Sequence, residues 1–224
     1  IGVTFLLCHF FKDCNEKIFK RIIFITWIII FILEVYKQIN YSFNYDNGIV
    51  SWDYQWYAAP FQLCTTPIFI TIICLFMKKS KLRTSLLSYL SFITILGGIM
   101  TILLPDSCFV ETTLVNIHTM WLHCGSLVVS VYLLITKEVE LKFENFKSAI
   151  VVFLVFVFIA ELLNIGIYNS GILNGETFNM FYISPYFEST LPVFDLIYKS
   201  VPYSLFLCIY IFIISFGSGI VYFI

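Results

Sequence analysis

Long apolar runs, each closed by charged residues or proline, set the pattern of this chain. Six of them suit a bilayer, whose hydrocarbon core takes about 20 apolar residues of helix to cross. They lie at residues 18–36, 57–77, 86–104, 113–136, 148–168 and 201–224. Residues 1–11 (IGVTFLLCHFF) are too short to cross alone and read as the tail of an earlier span. The chain begins at Ile1 rather than Met, so the complete protein is expected to have seven spans. Bilayers admit helices or closed barrels, and these runs are far too long for barrel strands. The expected fold is all-α, a multi-pass transmembrane helical bundle forming one domain over 1–224.

Composition agrees with lipid as the solvent. Of 224 residues, 60% are hydrophobic and 12% charged, and mean hydropathy is +0.92. A soluble domain carries about 25% charged residues. The net charge of −1 gives no basis for binding nucleic acid. Membrane lipids are the expected partners, and nothing sets the oligomeric state. Cys8, Cys74, Cys124 and Cys208 sit within apolar runs, and Cys14 and Cys108 near span ends. No pair has zinc spacing, and an odd, scattered set is no disulfide framework.

Lys and Arg orient the spans, because basic loops stay on the cytoplasmic side. Lys12, Lys17, Lys20 and Arg21 precede the first full span, and Lys37 follows it. Lys78, Lys79, Lys81 and Arg83 come next, then a loop with none, then Lys137, Lys142 and Lys147, and last Lys199. Rich and poor segments alternate without exception across all 13 basic residues. Loops 12–21, 78–83 and 137–147 are therefore expected to be cytoplasmic, and 37–56, 105–112 and 169–200 to lie on the far side. The choice between endomembrane and plasma membrane stays open. The far-side loop 169–200 contains ETFNMFYISPYF, long and aromatic enough to lie along the interface as a lid, or to be an ordered connector with belt aromatics. Asn40-Tyr41-Ser42 is a glycosylation sequon on that side.

Charges within spans are costly and point to function by default. The clear cases are Glu34 and Glu161, both late in outward-running spans. Glu161, Asn164 and Tyr168 share one helix face. Cys64, in PFQLCTT, lies roughly 10 Å below the outer end of its span at about 1.5 Å per residue. Asn116, Thr119, His123, Ser126 and Ser130 follow a polar stripe at helical spacing, whereas His118 falls on another face. Each of these groups has a plainer role open to it, as a hydrogen-bond partner between helices or a packed thiol. Their common depth on four helices argues for a polar cavity. His118 and His123, five apart, cannot hold one ion on a regular helix, and His9 lies on the partial span, so no metal, haem or other cofactor is expected. A Cys beside a His is the nucleophile–base arrangement of acyl transfer, with Glu34 or Glu161 able to orient the imidazole.

The residues also carry a resemblance. FILEVYKQ, PFQLC, LLPD at 103–106, HCGSLVVSVYLL from His123 and FNMFYISP around Asn179 resemble, in order and spacing, the YwaF-like integral membrane proteins that include the transmembrane protein 164 group. The resemblance implies a six- or seven-helix membrane fold and a lipid acyltransferase acting through Cys and His. The more distant androgen-induced lipid hydrolases are similar in layout, with Thr and His as the reacting pair. On this likeness His123 takes the base position. Gln62 stands where bacterial-type members are expected to carry His, and Phe61 where eukaryotic acyltransferase-like members carry the Cys directly after Pro. Cys64, three residues on and on the same helix face as Phe61, then takes the nucleophile's place. Glu34, Glu161, Asn164, Gln62, Asn179 and His118 form the surroundings.

Three readings of function follow. The first is a lipid acyltransferase or hydrolase using Cys64 and His123 in a far-side cavity. The second is a transporter or receptor binding a ligand there, with Gly97-Gly98 and Pro67 as possible helix breaks, although no inverted repeat accompanies them. The third is a structural membrane subunit.

Overall fold

The computed structural model describes residues 2–13, 15–46, 48–104 and 109–223. Cys14, Cys108 and the Pro105 and Asp106 end of LLPD lie outside the described residues. Helices dominate: α1 (Gly2–Phe11), α2 (Glu16–Asn40), α3 (Thr66–Phe76), α4 (Lys81–Leu103), α5 (Thr113–Ile135), α6 (Phe143–Asn169), α7 (Phe194–Ser200) and α8 (Tyr203–Phe223). A small antiparallel hairpin, β1 (Phe43–Asp46) and β2 (Ile49–Trp52), follows α2. Its turn uses Gly48 at φ +83, a conformation without penalty only for glycine.

Among the described residues, α4, α5, α6 and α8 are long and apolar enough to cross a membrane. This is the all-α membrane bundle expected, with differences at two of the six runs. Helix α2 is long at 25 residues, but Lys20, Arg21, Glu34 and Lys37 interrupt its apolar surface. The run 57–77 yields only the 11 residues of α3. Proline explains the shortening. Pro60 drives its predecessor out of the helical region, and Ala59 sits at φ −51, ψ 141. Pro67 lies in the first turn of α3, where a missing N–H costs nothing. Between them the chain turns, with Gln62 N donating to Thr65 Oγ1 at 2.8 Å.

Helix α4 is the central element, packing on α3, α5, α6 and α8. Its Tyr89 and Phe92 are fully buried. Gly97-Gly98 does not break it. Gly98 instead lets α5 approach, since a Cβ there would lie 2.9 Å from Leu127 Cβ and 3.0 Å from His123 O. Opposite this contact α5 widens into one π turn at Trp121–Gly125. An extra residue in a turn shifts the faces before and after it, a device frequent at functional sites. The expected single polar stripe along α5 is therefore split.

One end of the bundle is tied by charge. Arg83, almost fully buried, reaches Glu16 at 3.0 Å and Glu138 at 3.7 Å. Lys79 bridges the same two carboxylates at 3.4 and 3.1 Å. The start of α2, the start of α4 and the segment after α5 thus meet at one place.

Candidate functional site

The polar residues expected around one histidine divide among three places. The first is a cavity of about 360 Å³ between the turn before α3, α4, α5, the 180–193 loop and α8. Cys64 and His123 both line it, with Gln62, Thr94, Thr101, Ser126, Tyr182 and Tyr210 among an otherwise largely apolar wall. Cys64 arrives through a turn rather than on a helix face shared with Phe61, because the helix begins only at Thr66. Phe61 turns elsewhere, stacking on Phe181 at 5.8 Å and meeting Phe156 at 6.0 Å.

His123 is oriented by Thr101. Thr101 Oγ1 lies 2.9 Å from His123 Nδ1 and 3.0 Å from the Gly97 carbonyl. A hydroxyl has one proton, and the carbonyl can only accept it, so Oγ1 accepts from the ring. That assigns the imidazole proton to Nδ1 and leaves Nε2 as the lone-pair nitrogen. This is the tautomer a general base needs. A carboxylate is not the orienting group.

The second place holds Glu34 and His118. Glu34 Oε2 lies 2.7 Å from His118 Nε2, while Oε1 meets Lys37 at 2.9 Å and Gln38 at 2.7 Å. Gln38 also donates to Ala58 O at 2.8 Å and accepts from Tyr54 at 2.8 Å. This network joins α2 to α5 and to the segment leading into α3. It brings together a carboxylate and an imidazole that are both buried, and it does not border the cavity.

The third place is a clamp on the loop after α6. Asn164, fully buried, pairs both ends of its amide with one residue: Nδ2 donates to Met180 O at 3.1 Å, and Met180 N donates to Oδ1 at 2.7 Å. Gln62 grips the next stretch likewise, with Nε2 to Asn179 O at 3.0 Å and Phe181 N to Oε1 at 2.8 Å. Asn179 folds the loop on itself through Phe187 O, Glu188 O and Ser184 N. Tyr203 OH lies 2.5 Å from Glu161 Oε1 and 2.9 Å from Ile183 O. Tyr168 stacks on Tyr186 at 3.7 Å. Glu161, Asn164 and Tyr168 do share a face, and that face holds the loop rather than His123. The loop needs holding. Phe181 and Tyr182 are both left-handed, at φ 59 and 58, which costs about 1–2 kcal/mol for each non-glycine residue. Met180, Phe181, Ile183 and Ser184 are fully buried, so the loop enters the bundle, and Tyr182, Thr190, Leu191 and Pro192 give the cavity part of its wall.

Asn116 leaves the stripe to bond the Val110 backbone at 2.7 and 2.8 Å. Ser130 meets Thr94 at 2.8 Å. A family model, that of the TMEM164 family, matches residues 1–222. The chain belongs to the TMEM164 family. No curated protein and no solved structure matches it. Within this TMEM164-family chain, reasoning from sequence overlooked Thr101 and Tyr210. Thr101 has a readable signal, a hydroxyl four residues after Gly97 on a glycine-thinned face. Tyr210 lies in an apolar aromatic run with no signal of its own.

Proposed function

We propose that this TMEM164-family chain is a membrane-embedded enzyme of lipid acyl transfer, with Cys64 as nucleophile and His123 as base. The observation that carries the reading is the meeting of Cys64 and His123 on one largely apolar cavity, with the His123 proton confined to Nδ1 by Thr101. His123 Nε2 removes the thiol proton, and Sγ adds to the carbonyl carbon of a lipid ester. The tetrahedral adduct collapses, the ester C–O bond breaks, and the imidazolium returns its proton to the departing lysolipid alcohol. A second alcohol then attacks the thioester, giving an acylated lipid and the free thiol; water in its place makes the reaction a hydrolysis. Apolar walls suit an acyl chain, and the clamped 180–193 loop forms one side of its slot.

The cavity lies on the far side of the membrane in this reading. Basic loops 12–21, 78–83 and 137–147 are cytoplasmic. The ion pairs that bring Glu16, Lys79, Arg83 and Glu138 together support a common side for them.

The test uses the chain in lipid nanodiscs with a phospholipid bearing an alkyne-tagged acyl chain. Transfer of the tag to a lysolipid, or its release as fatty acid, is expected from wild type. It should fall by at least about a hundredfold in Cys64→Ala and His123→Ala. Turnover that survives both substitutions overturns the assignment.

A further inference from the structure

The cavity wall contains a hydroxyl left unbonded among the described residues. Tyr210, on α8, is fully buried and lines the same cavity as Cys64 and His123. Its phenolic oxygen has no hydrogen-bond partner among the described residues. Buried polar groups in folded proteins are satisfied as a rule, so each exception asks for a reason. Ser126 Oγ is the other such hydroxyl on this cavity, but a helical serine can rotate to bond the carbonyl four residues back. Tyrosine has no internal alternative of that kind. The Tyr210 ring is also fixed, wedged against Phe194 at 5.0 Å, Phe206 at 6.3 Å and Phe153 at 6.4 Å. The one remaining freedom is rotation of the O–H about its own C–O bond.

A rigid donor, unpaired among the described residues, on the wall of the cavity that Cys64 and His123 also line has the properties of an oxyanion-hole group. Such groups act because they are set before the reaction and need no rearrangement when charge develops. We propose that Tyr210 donates a hydrogen bond to the carbonyl oxygen of the lipid ester and holds it as an oxyanion when Cys64 adds. This rests on the acyl-transfer reading above and assigns it a third catalytic residue. The bond count is simple. As Sγ bonds to the carbonyl carbon, the C=O π pair moves onto oxygen, where the Tyr210 O–H meets it. On collapse that pair returns, the ester C–O bond breaks, and the leaving oxygen takes its proton from His123. Tyr210 keeps its own proton throughout.

Tyr210→Phe removes one oxygen and keeps the ring. In nanodiscs, single-turnover formation of hydroxylamine-sensitive label from the alkyne-tagged phospholipid is expected to slow by about 10²–10³-fold. The phospholipid concentration for half-maximal rate should change by less than about threefold. Tm should hold or rise, because an oxygen unpaired in the resting protein stabilises nothing. A merely structural hydroxyl gives the opposite, a lowered Tm, and that result overturns the proposal. An unchanged rate in Tyr210→Phe, with labelling still lost in Cys64→Ala, overturns it while leaving acyl transfer intact. Absence of label from wild type and every variant overturns both.

Discussion

Replacing Asn164 by Leu keeps the branched outline and the number of side-chain heavy atoms and deletes both hydrogen bonds to residue 180. The Met180 N–H and C=O, now at 3.1 Å or less from a polar partner, would face an apolar surface. Met180 is fully buried, so water cannot replace the lost amide. Leaving a buried polar group unpaired costs about 1–3 kcal/mol. Two such groups, discounted for partial relaxation, lower the local stability of the loop by about 2–4 kcal/mol. The two left-handed residues that follow would lose the Asn164 side of the clamp and keep the Gln62 side. Since about 1.4 kcal/mol is a factor of ten, amide exchange at Phe181 and Ile183 should quicken by about 30- to 700-fold. Hydrogen exchange read by mass spectrometry on peptides covering 176–190 checks this, with the α6 peptides as internal control. Asn164→Asp, which keeps the acceptor and loses the donor, should fall between. Unchanged exchange at 180–183 in Asn164→Leu would refute the reasoning, because the loop would then be held by packing alone.

Other outcomes follow from the same contacts. Thr101→Val removes the acceptor that fixes the His123 tautomer, so acyl-transfer kcat should drop at least about tenfold with Tm nearly unchanged; an unaltered kcat contradicts the tautomer argument. Gly98→Ala pushes a Cβ against Leu127 and the His123 carbonyl, and overpacking of this kind costs about 1–3 kcal/mol, read as a lower unfolding midpoint in detergent. Arg83→Met leaves Glu16 and Glu138 with Lys79 as their remaining shared partner; because of that, and because Glu16 is more than a third exposed, the loss should be about 1–3 kcal/mol rather than the larger cost of a fully buried pair. An impermeant maleimide should reach Glu140→Cys from the cytoplasmic side and Glu176→Cys from the other, in a chain whose native cysteines are replaced. Labelling of both from one side contradicts the orientation.

Much of the bundle was legible because lipid leaves few options. Apolar runs near the bilayer length became α4, α5, α6 and α8. Run 57–77 is helical only over Thr66–Phe76, because hydropathy takes no account of the backbone sterics that make Pro60 and Pro67 decisive. The cavity pair was legible in part. Cys64 and His123 do share a cavity, though the route of Cys64 into it through a turn is invisible to helical-wheel arguments. Helical spacing set His118 and His123 on different faces, and they do meet different partners, Glu34 and Thr101. It could not name Thr101, on another helix, and no residue type announces the π turn at Trp121–Gly125. The polar residues within the apolar runs drew notice by their cost, and several of them meet it by holding backbone. Gln62, Asn164 and Asn179 carry carboxamides, whose paired donor and acceptor match a peptide unit, and each is bonded to the backbone of the loop after α6. Loop contacts between residues more than a hundred positions apart cannot be read from local pattern.

The central claim concerns one sulfur atom. Wild-type chain incubated briefly with tagged phospholipid, quenched in acid and digested, can be mapped peptide by peptide for the acyl group. The account predicts an acyl mass on the peptide containing Cys64, removed by neutral hydroxylamine and accumulating when no acceptor alcohol is supplied. An acyl group found on another residue, or turnover with Cys64 never modified, would contradict it.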